Sequence, residues 1–475
     1  MKKLIVSAWL ASVGLLGCTS DTDLRSEITV GRAHLAVPAT SLGPVTPSIA
    51  SLDERVLLLW NDVVNDPVLA SDPLSMRFRR YAQWFDETGP LSMSQDLGPS
   101  MGYFESWAHD GDALVAQSWG DPEDRVPQVA EDRRAFLLRA DAGADLRWTQ
   151  LTIPLVPLAC PACARLFMPG LDAPAGYGLI STIDTTAGSY WALHFPPRND
   201  ECGPSSRDRR VHLASGGETY PLVWSWLEPL CSEDRQPAGE SEGDVLDLHV
   251  AEVADSRIGA LFVSTRSDGR GGGDRAYYFM HANLVDGSGF RVSREPIVVA
   301  EHRTSMEDGH QPRMTRVSGG VLAATLSEDT STRCQTLRMF DSDGANSREA
   351  PWQLPCRRND SLHVHYVEMA SLPDGSALVV YSLRPTASGS SADEEDAVIE
   401  AVVVTAEGRR GSDIVRVTPE EARGLPIRGF APLATGRPVL FVEGTRAWVA
   451  WVDVRADAPG LYWTSLDVRA LPTPP

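Results

Sequence analysis

Three short stretches gather the side chains that could do acid–base or metal chemistry. They are Asp244 and Asp247; then Glu307, Asp308, His310 and Arg313; then Arg357, Asn359, Asp360, His363 and His365. Carboxylates and imidazoles exchange protons near neutral pH once burial or a neighbouring charge tunes them, and the same groups ligate metal ions. Each stretch stands just before a β-prone run, so the groups meet only if those runs become neighbouring strands. Asp244, Asp247, His310, Arg313, Asn359, Asp360 and His363 are therefore candidates for one ligand-binding site. The commoner fate of such residues is a solvated rim. The set selects no particular metal, and no cofactor is expected. Neither Gly-x-Ser-x-Gly nor His-Glu-x-x-His occurs, so the usual marks of a nucleophile elbow or a zinc-protease helix are missing.

Other motifs have plainer explanations. Cys160-Pro-Ala-Cys163 has redox spacing, but that chemistry needs a thiol at a helix N-terminus, and Arg165-Leu-Phe-Met168 reads as strand. Gly269 to Asp274 and Asp341 to Asn346 look like pieces of calcium loops. Each falls between strands without the remaining oxygen ligands, and a hairpin turn accounts for both.

The positioning elements are strands. With 39 Gly, 34 Pro and 13 Trp and few runs at helical spacing, the 475-residue chain is expected to be all-β. Seven strongly apolar runs recur: Val56–Asp62, Ala113–Asp121, Gly178–Asp184, Gly259–Thr265, Val321–Leu326, Ala377–Ser382 and Ala447–Asp453. Each is read as the second strand of a unit, and a third follows, as at Met76–Phe85 or Leu461–Asp467. Several first strands open with Pro, as at Pro47-Ser-Ile49, Pro99-Ser-Met101 and Pro312-Arg-Met314, where a missing N–H costs no ladder bond. Asp286-Gly287, Asp343-Gly344 and Glu407-Gly408 supply hairpins. Four strands per unit at 50–80-residue spacing predict a β-propeller, with seven four-stranded blades. The last unit supplies three strands, and the run Ile28–Val37 has no local partner. As the missing outer strand it would close the ring and cover an exposed edge. First strands then line a central channel, and the three polar stretches lie at its mouth.

The units resemble those of secreted or lipid-anchored bacterial β-propeller repeat proteins. A Trp-x-Asp strand end, a polar hairpin and a strand leading to an Asp/Glu-Gly turn carry the resemblance over nearly all of residues 27–475. It implies fold and transfers no catalytic residues. The Ser-x-Asp-x-Gly-x-x-Trp box of sialidase-type propellers is absent.

The first residues carry an address. Met1-Lys-Lys, an apolar segment to Leu16 and Leu15-Leu-Gly-Cys18 resemble a bacterial lipobox signal over residues 1–17. The resemblance implies lipidation of Cys18 and a short tether over residues 18–26. Thr19 stands where a retention signal would place Asp, which implies the outer membrane, with the body periplasmic or surface-exposed. Six further cysteines in an exported chain read as disulfides, with fifteen possible pairings. Cys334 opens a third strand and Cys356 closes the fourth, so antiparallel pairing brings these two to one end. Among the rest, Cys160–Cys163 with Cys202–Cys231 is favoured, and a zinc site competes poorly with oxidation.

Charge narrows the partners. The net charge of −21 becomes −23 once Lys2 and Lys3 leave with the signal, so nucleic acid is not expected. Those two are the only lysines, which excludes Schiff-base and P-loop chemistry from the mature chain. The expected function is a membrane-tethered module that binds or scaffolds a protein or glycan. The alternative is a hydrolase or lyase acting on glycan, peptide or lactone at the channel mouth.

Overall fold

The computed structural model describes residues 25–38, 44–64, 77–100, 107–110, 113–120, 134–150, 179–185, 188–195, 210–215, 218–225, 242–267, 273–285, 289–292, 297–303, 312–326, 335–355, 362–385, 398–419, 438–453 and 459–471. The described residues form strands and turns with no helix. Two N-terminal strands, β1 (Ser26–Val30) and β2 (His34–Pro38), precede a nine-stranded sheet. That sheet contains β3 (Pro44–Leu52), β4 (Arg55–Val64), β5 (Arg77–Asp86), β6 (Gly89–Pro90), β7 (Gln95–Ser100), β8 (Trp107–Asp110), β9 (Ala113–Gly120), β10 (Arg134–Asp141) and β11 (Arg147–Gln150). Next come β12 (Leu179–Thr185), β13 (Gly188–Phe195), β14 (Arg210–Ser215) and β15 (Glu218–Ser225), paired in chain order. A third sheet holds β16 (Glu242–Ala254), β17 (Arg257–Ser267), β18 (Gly273–Val285), β19 (Gly289–Val292) and β20 (Ile297–Arg303). The fourth holds β21 (Arg313–Val317), β22 (Gly320–Leu326), β23 (Gln335–Phe340) and β24 (Arg348–Glu349). The fifth holds β25 (Leu362–Ser371), β26 (Ala377–Pro385), β27 (Val398–Val404) and β28 (Val415–Arg416). The sixth is β29 (Val439–Glu443), β30 (Arg446–Asp453) and β31 (Gly460–Ala470), to which β1 and β2 both pair.

All strand pairings among the described residues are antiparallel, and the core lies between successive sheets. Leu322, Leu337 and Met339 of the fourth sheet pack on Val367, Val379 and Tyr381 of the fifth. Leu378, Val380 and Ala401 of the fifth meet Val449, Trp451 and Tyr462 of the sixth. Trp448 and Trp463 of the sixth share a cluster with Leu57, Trp60 and Trp84 of the nine-stranded sheet. Because both faces of a sheet are covered, β22, β26 and β30 read as unbroken apolar runs rather than alternating ones. The result is an all-β, propeller-like arrangement.

Three expectations change. Ile28–Val37 is two strands, not one. At the break the Thr464 hydroxyl stands within donating distance of the Gly31 (3.0 Å) and Arg32 (3.2 Å) carbonyls, while Gly31 N–H donates to the Ser465 carbonyl at 2.8 Å. Pro99 and Ser100 end β7, the outer strand of the first unit, rather than opening the next; the first strand of that unit is β8. The run at Gly178–Asp184 is the innermost strand, β12, packed beside β8 and β16. Apolar content cannot separate first from second strands when neighbouring sheets cover both.

First strands lie side by side: β12 on β16, β16 on β21, β21 on β25, β25 on β29 and β29 on β3. The short turns that end them need left-handed residues, at Asp53 and Glu54, Ser256, Gly319, Gly375 and Gly444. At Gly375 (φ 81°) the carbonyl accepts from the Ser318 N–H at 2.7 Å, and an added Cβ would lie 1.7 Å from Ser318 Oγ. At Gly444 (φ 60°) an added Cβ meets nothing within 4 Å. Gly444→Ala should cost only the backbone term, about 1 kcal/mol, and Gly375→Ala distinctly more. Denaturant midpoints of the two variants give the order; equal losses would contradict the close approach.

Candidate functional site

An innermost strand has one edge with no strand partner, and its backbone groups must be satisfied elsewhere. On β21 the groups of Met314, Arg316 and Ser318 recur every second residue and find partners on both neighbouring sheets. Met314 N–H donates to His249 Nδ1 of β16 at 3.2 Å. The Arg316 carbonyl accepts from Ser371 Oγ of β25 at 2.8 Å, and Ser318 N–H reaches the Gly375 carbonyl. Side chains add to the stitching. Arg313 donates to both carboxylate oxygens of Glu368, at 3.1 and 3.2 Å. Arg316 pairs with Asp255 at 2.6 Å and lies 3.7 Å from Glu252.

These strands wall a cavity of about 1100 Å³. Residues 249–254 of β16, Met314 to Gly320 along β21 and its turn, Met369 to Gly375 along β25 and its turn, and Leu440 to Val442 of β29 line it. Trp107 of β8 and Ser342 complete the described lining. Its volume suits a ligand of several rings, and its walls mix apolar surface with a few placed polar groups. His249 contributes one of these. With Nδ1 accepting from a backbone N–H, the neutral ring carries its proton on Nε2, which has no partner among the described residues. Burial, and then the Arg313 guanidinium, hold this imidazole well below its usual range, so it stays neutral. Of the other charged lining groups, Asp374 is occupied by its own turn, accepting from Ser376 N–H (2.9 Å) and Oγ (2.6 Å).

The residues singled out in the sequence lie toward the other end of the same strands. Arg313 opens β21, Asp244 and Asp247 fall early in β16, and His363 early in β25. Ladder irregularities interrupt β16 between Val245 and Asp247, and β25 between Val364 and Tyr366. Bulges of this kind redirect side chains and are enriched beside active sites. Of the seven candidates only Arg313 has a described side chain; it is engaged by Glu368 rather than lining the cavity. His310, Asn359 and Asp360 lie outside the described residues, as do Cys18, Cys160, Cys163, Cys202, Cys231, Cys334 and Cys356. Asp341 to Asn346 is a closed turn. Asn346 donates to Asp341, and Ala345 N–H donates to Asp343 at 3.0 Å, leaving no calcium cage. Sequence reasoning missed His249 and Glu368. The signal for His249 was the alternation of Leu246, Leu248 and Val250 with Asp247, His249 and Ala251.

No family model matches the chain, and no curated protein matches it. Several solved structures are similar to it. A Dyadobacter fermentans protein of unknown function is similar over 93% of this chain and 99% of its own, at 12% identity and a TM-score of 0.44. The polysaccharide lyase Uly1 is similar over 90% of each chain, at 8% identity and a TM-score of 0.45. A Penicillium chrysogenum α-L-arabinanase complexed with arabinobiose covers 82% of this chain and 99% of its own, at 11% identity and a TM-score of 0.40. At these values no residue role carries across. The expectation of a non-catalytic binding or scaffolding module is nonetheless corrected. The similar structures named for an activity, two sialidases and a β-fructofuranosidase among them, are enzymes, and none of them is named as a binding or scaffolding module.

Two outcomes follow from the stitching. Arg313→Met leaves the Glu368 carboxylate, whose side chain is 17% exposed, without its guanidinium. It should destabilise the fold by about 3 kcal/mol, and Arg313→Met with Glu368→Leu should recover part of that loss. A double variant no better than the single one in denaturant melts would contradict the pairing. His249 titrates in the unfolded chain near its usual value of about 6.5 and lower in the folded one. The unfolded state therefore binds more protons below that pH, and stability falls as pH drops through and beneath it. Between pH 7.5 and 5, wild type should lose more stability than His249→Gln. Parallel curves would contradict the assignment.

Proposed function

We propose that the chain is a seven-bladed β-propeller whose axial channel is the active site of a hydrolase or lyase acting on glycan. For the blade count, β7 and β9 in the nine-stranded sheet meet only through the single pair Ser100–Gly120. Dividing it there gives two blades, and the five other sheets make seven. The pairing of Ile28 with Val468 and of His34 with Trp463 supports closure of the ring through its N-terminal strands, within one domain over residues 27–475.

One observation carries the functional reading. Three of the strands that wall the cavity, β16, β21 and β25, also carry Asp247, Arg313 and His363 toward their opening ends. Asp247 and His363, one on each side of β21, are the groups assigned to general acid and base duty. A carboxylate and an imidazole can share this work in glycoside hydrolysis or in abstraction of a sugar proton. Asp247→Asn should lower turnover of a cleaved oligosaccharide by about 100-fold or more while leaving the melting transition in place. Reducing-end release, and ultraviolet absorbance for an unsaturated product, read the two reactions. Unchanged turnover in this variant would remove Asp247 from the mechanism.

The address is part of the proposal. Lipidation of Cys18 would tether the domain to the outer membrane through residues 18–26, supported by the lipobox-like Leu15-Leu-Gly-Cys18. Cys18→Ser should move the protein from the membrane to the soluble fraction of the envelope; equal partition of wild type and variant would refute the anchor.

A further inference from the structure

We infer that the axial cavity selects uncharged sugar residues over acidic ones, and that His249 Nε2–H is the donor that recognises them. This rests on reading the cavity as a glycan site, and deepens it.

The charge of the described wall is the first argument. Two carboxylates, Glu252 and Asp374, and one guanidinium, Arg316, line the cavity. Arg316 is already committed to Asp255 and Glu252, while Arg313 is committed to Glu368 behind the wall. A uronate or sialate carboxylate entering this space would meet a wall of net negative charge in a chain of net charge −21, with each described guanidinium already bonded to an acid. Acidic ligands are bound where cations are left available to meet them. A neutral sugar carries no such penalty.

The second argument is the set of polar atoms that remain. Ser371 Oγ donates to the Arg316 carbonyl and accepts from Thr315 Oγ1 at 3.0 Å across the β21–β25 seam, so these two hydroxyls offer a ligand acceptor lone pairs. His249 stands across β21 from them, fixed by its bond from Met314 N–H, with Nε2–H as its remaining group. Trp107, Met314 and Phe441 line the same cavity from three further places, on β8, β21 and β29. Hydroxyl-rich, uncharged rings, polar at the edge and apolar on the face, match this pattern. A neutral imidazole also keeps its donor at all pH values above its lowered titration, so recognition does not switch on acidification.

Calorimetry of the mature protein tests the inference. The probes are short neutral oligosaccharides (arabino-, xylo-, gluco- and galacto-series) and short uronate and sialyl oligosaccharides, at low and high salt. A neutral series should bind with affinity insensitive to salt, and the acidic ones should bind at least about tenfold more weakly. His249→Gln, which keeps an N–H donor, should stay within a few-fold of wild type. His249→Leu should lose about tenfold, with folding of both variants checked by melting. Tighter, salt-sensitive binding of an acidic series would overturn the inference while sustaining a glycan site. Neutral binding unchanged in His249→Leu would overturn the role of His249. Binding of no saccharide by a folded protein would overturn the glycan reading and this inference with it.

Discussion

The unpaired edge of β21 is the constraint on which the centre of this molecule depends. A first strand has a ladder partner on one side only, and its other edge faces the first strands of the neighbouring sheets. The structure answers with donors and acceptors borrowed across the seams: the imidazole of His249, the hydroxyl of Ser371 and the carbonyl of Gly375. Each bond is worth little by itself, but leaving a buried backbone group unmet costs about 1–3 kcal/mol. Three successive first strands are therefore held in one register. The buried Arg313–Glu368 pair adds specificity to that register more than stability, since a charge pair in such a place must first be desolvated.

From that constraint the cavity follows. Where first strands lie edge to edge, most of the apolar side chains of the sheets fill the seams between them. Those seams hold the aliphatic and aromatic core: Val379 against Leu322, Trp451 against Val380, Trp84 against Trp448. The axis is left to backbone edges, short hydroxyls and the few side chains that satisfy them. A polar, partly apolar chamber at the centre is thus a by-product of the packing, and its chemistry is set by which residues serve the open edges.

Much of the scaffold was legible in the sequence because its signals are local. The Trp-x-Asp ends at Trp60–Asp62 and Trp451–Asp453 mark second strands, and Gly344 and Gly408 take the positive φ that their hairpin signals require. The third unit was displaced by one strand because apolar content is shared by all inner strands. The break at Gly31 was not legible, since its partners Thr464 and Ser465 lie more than 400 residues away. The site was half legible. Conspicuous acids and histidines near the openings of β16, β21 and β25 pointed to three strands that also wall the cavity, though at their other ends. His249 is a single imidazole in an alternating strand. Its importance comes from a neighbouring strand's backbone N–H, which no spacing rule encodes.

Function, in this account, is a property of the axis rather than of any loop. Hydrogen exchange of the mature protein with and without a neutral oligosaccharide that it binds tests this most directly. The account predicts added protection concentrated on residues 249–253, 314–317 and 369–372, three of the described walls of the proposed axial cavity. Protection on outer strands such as β19, β24 or β28, with those three segments unchanged, would contradict it.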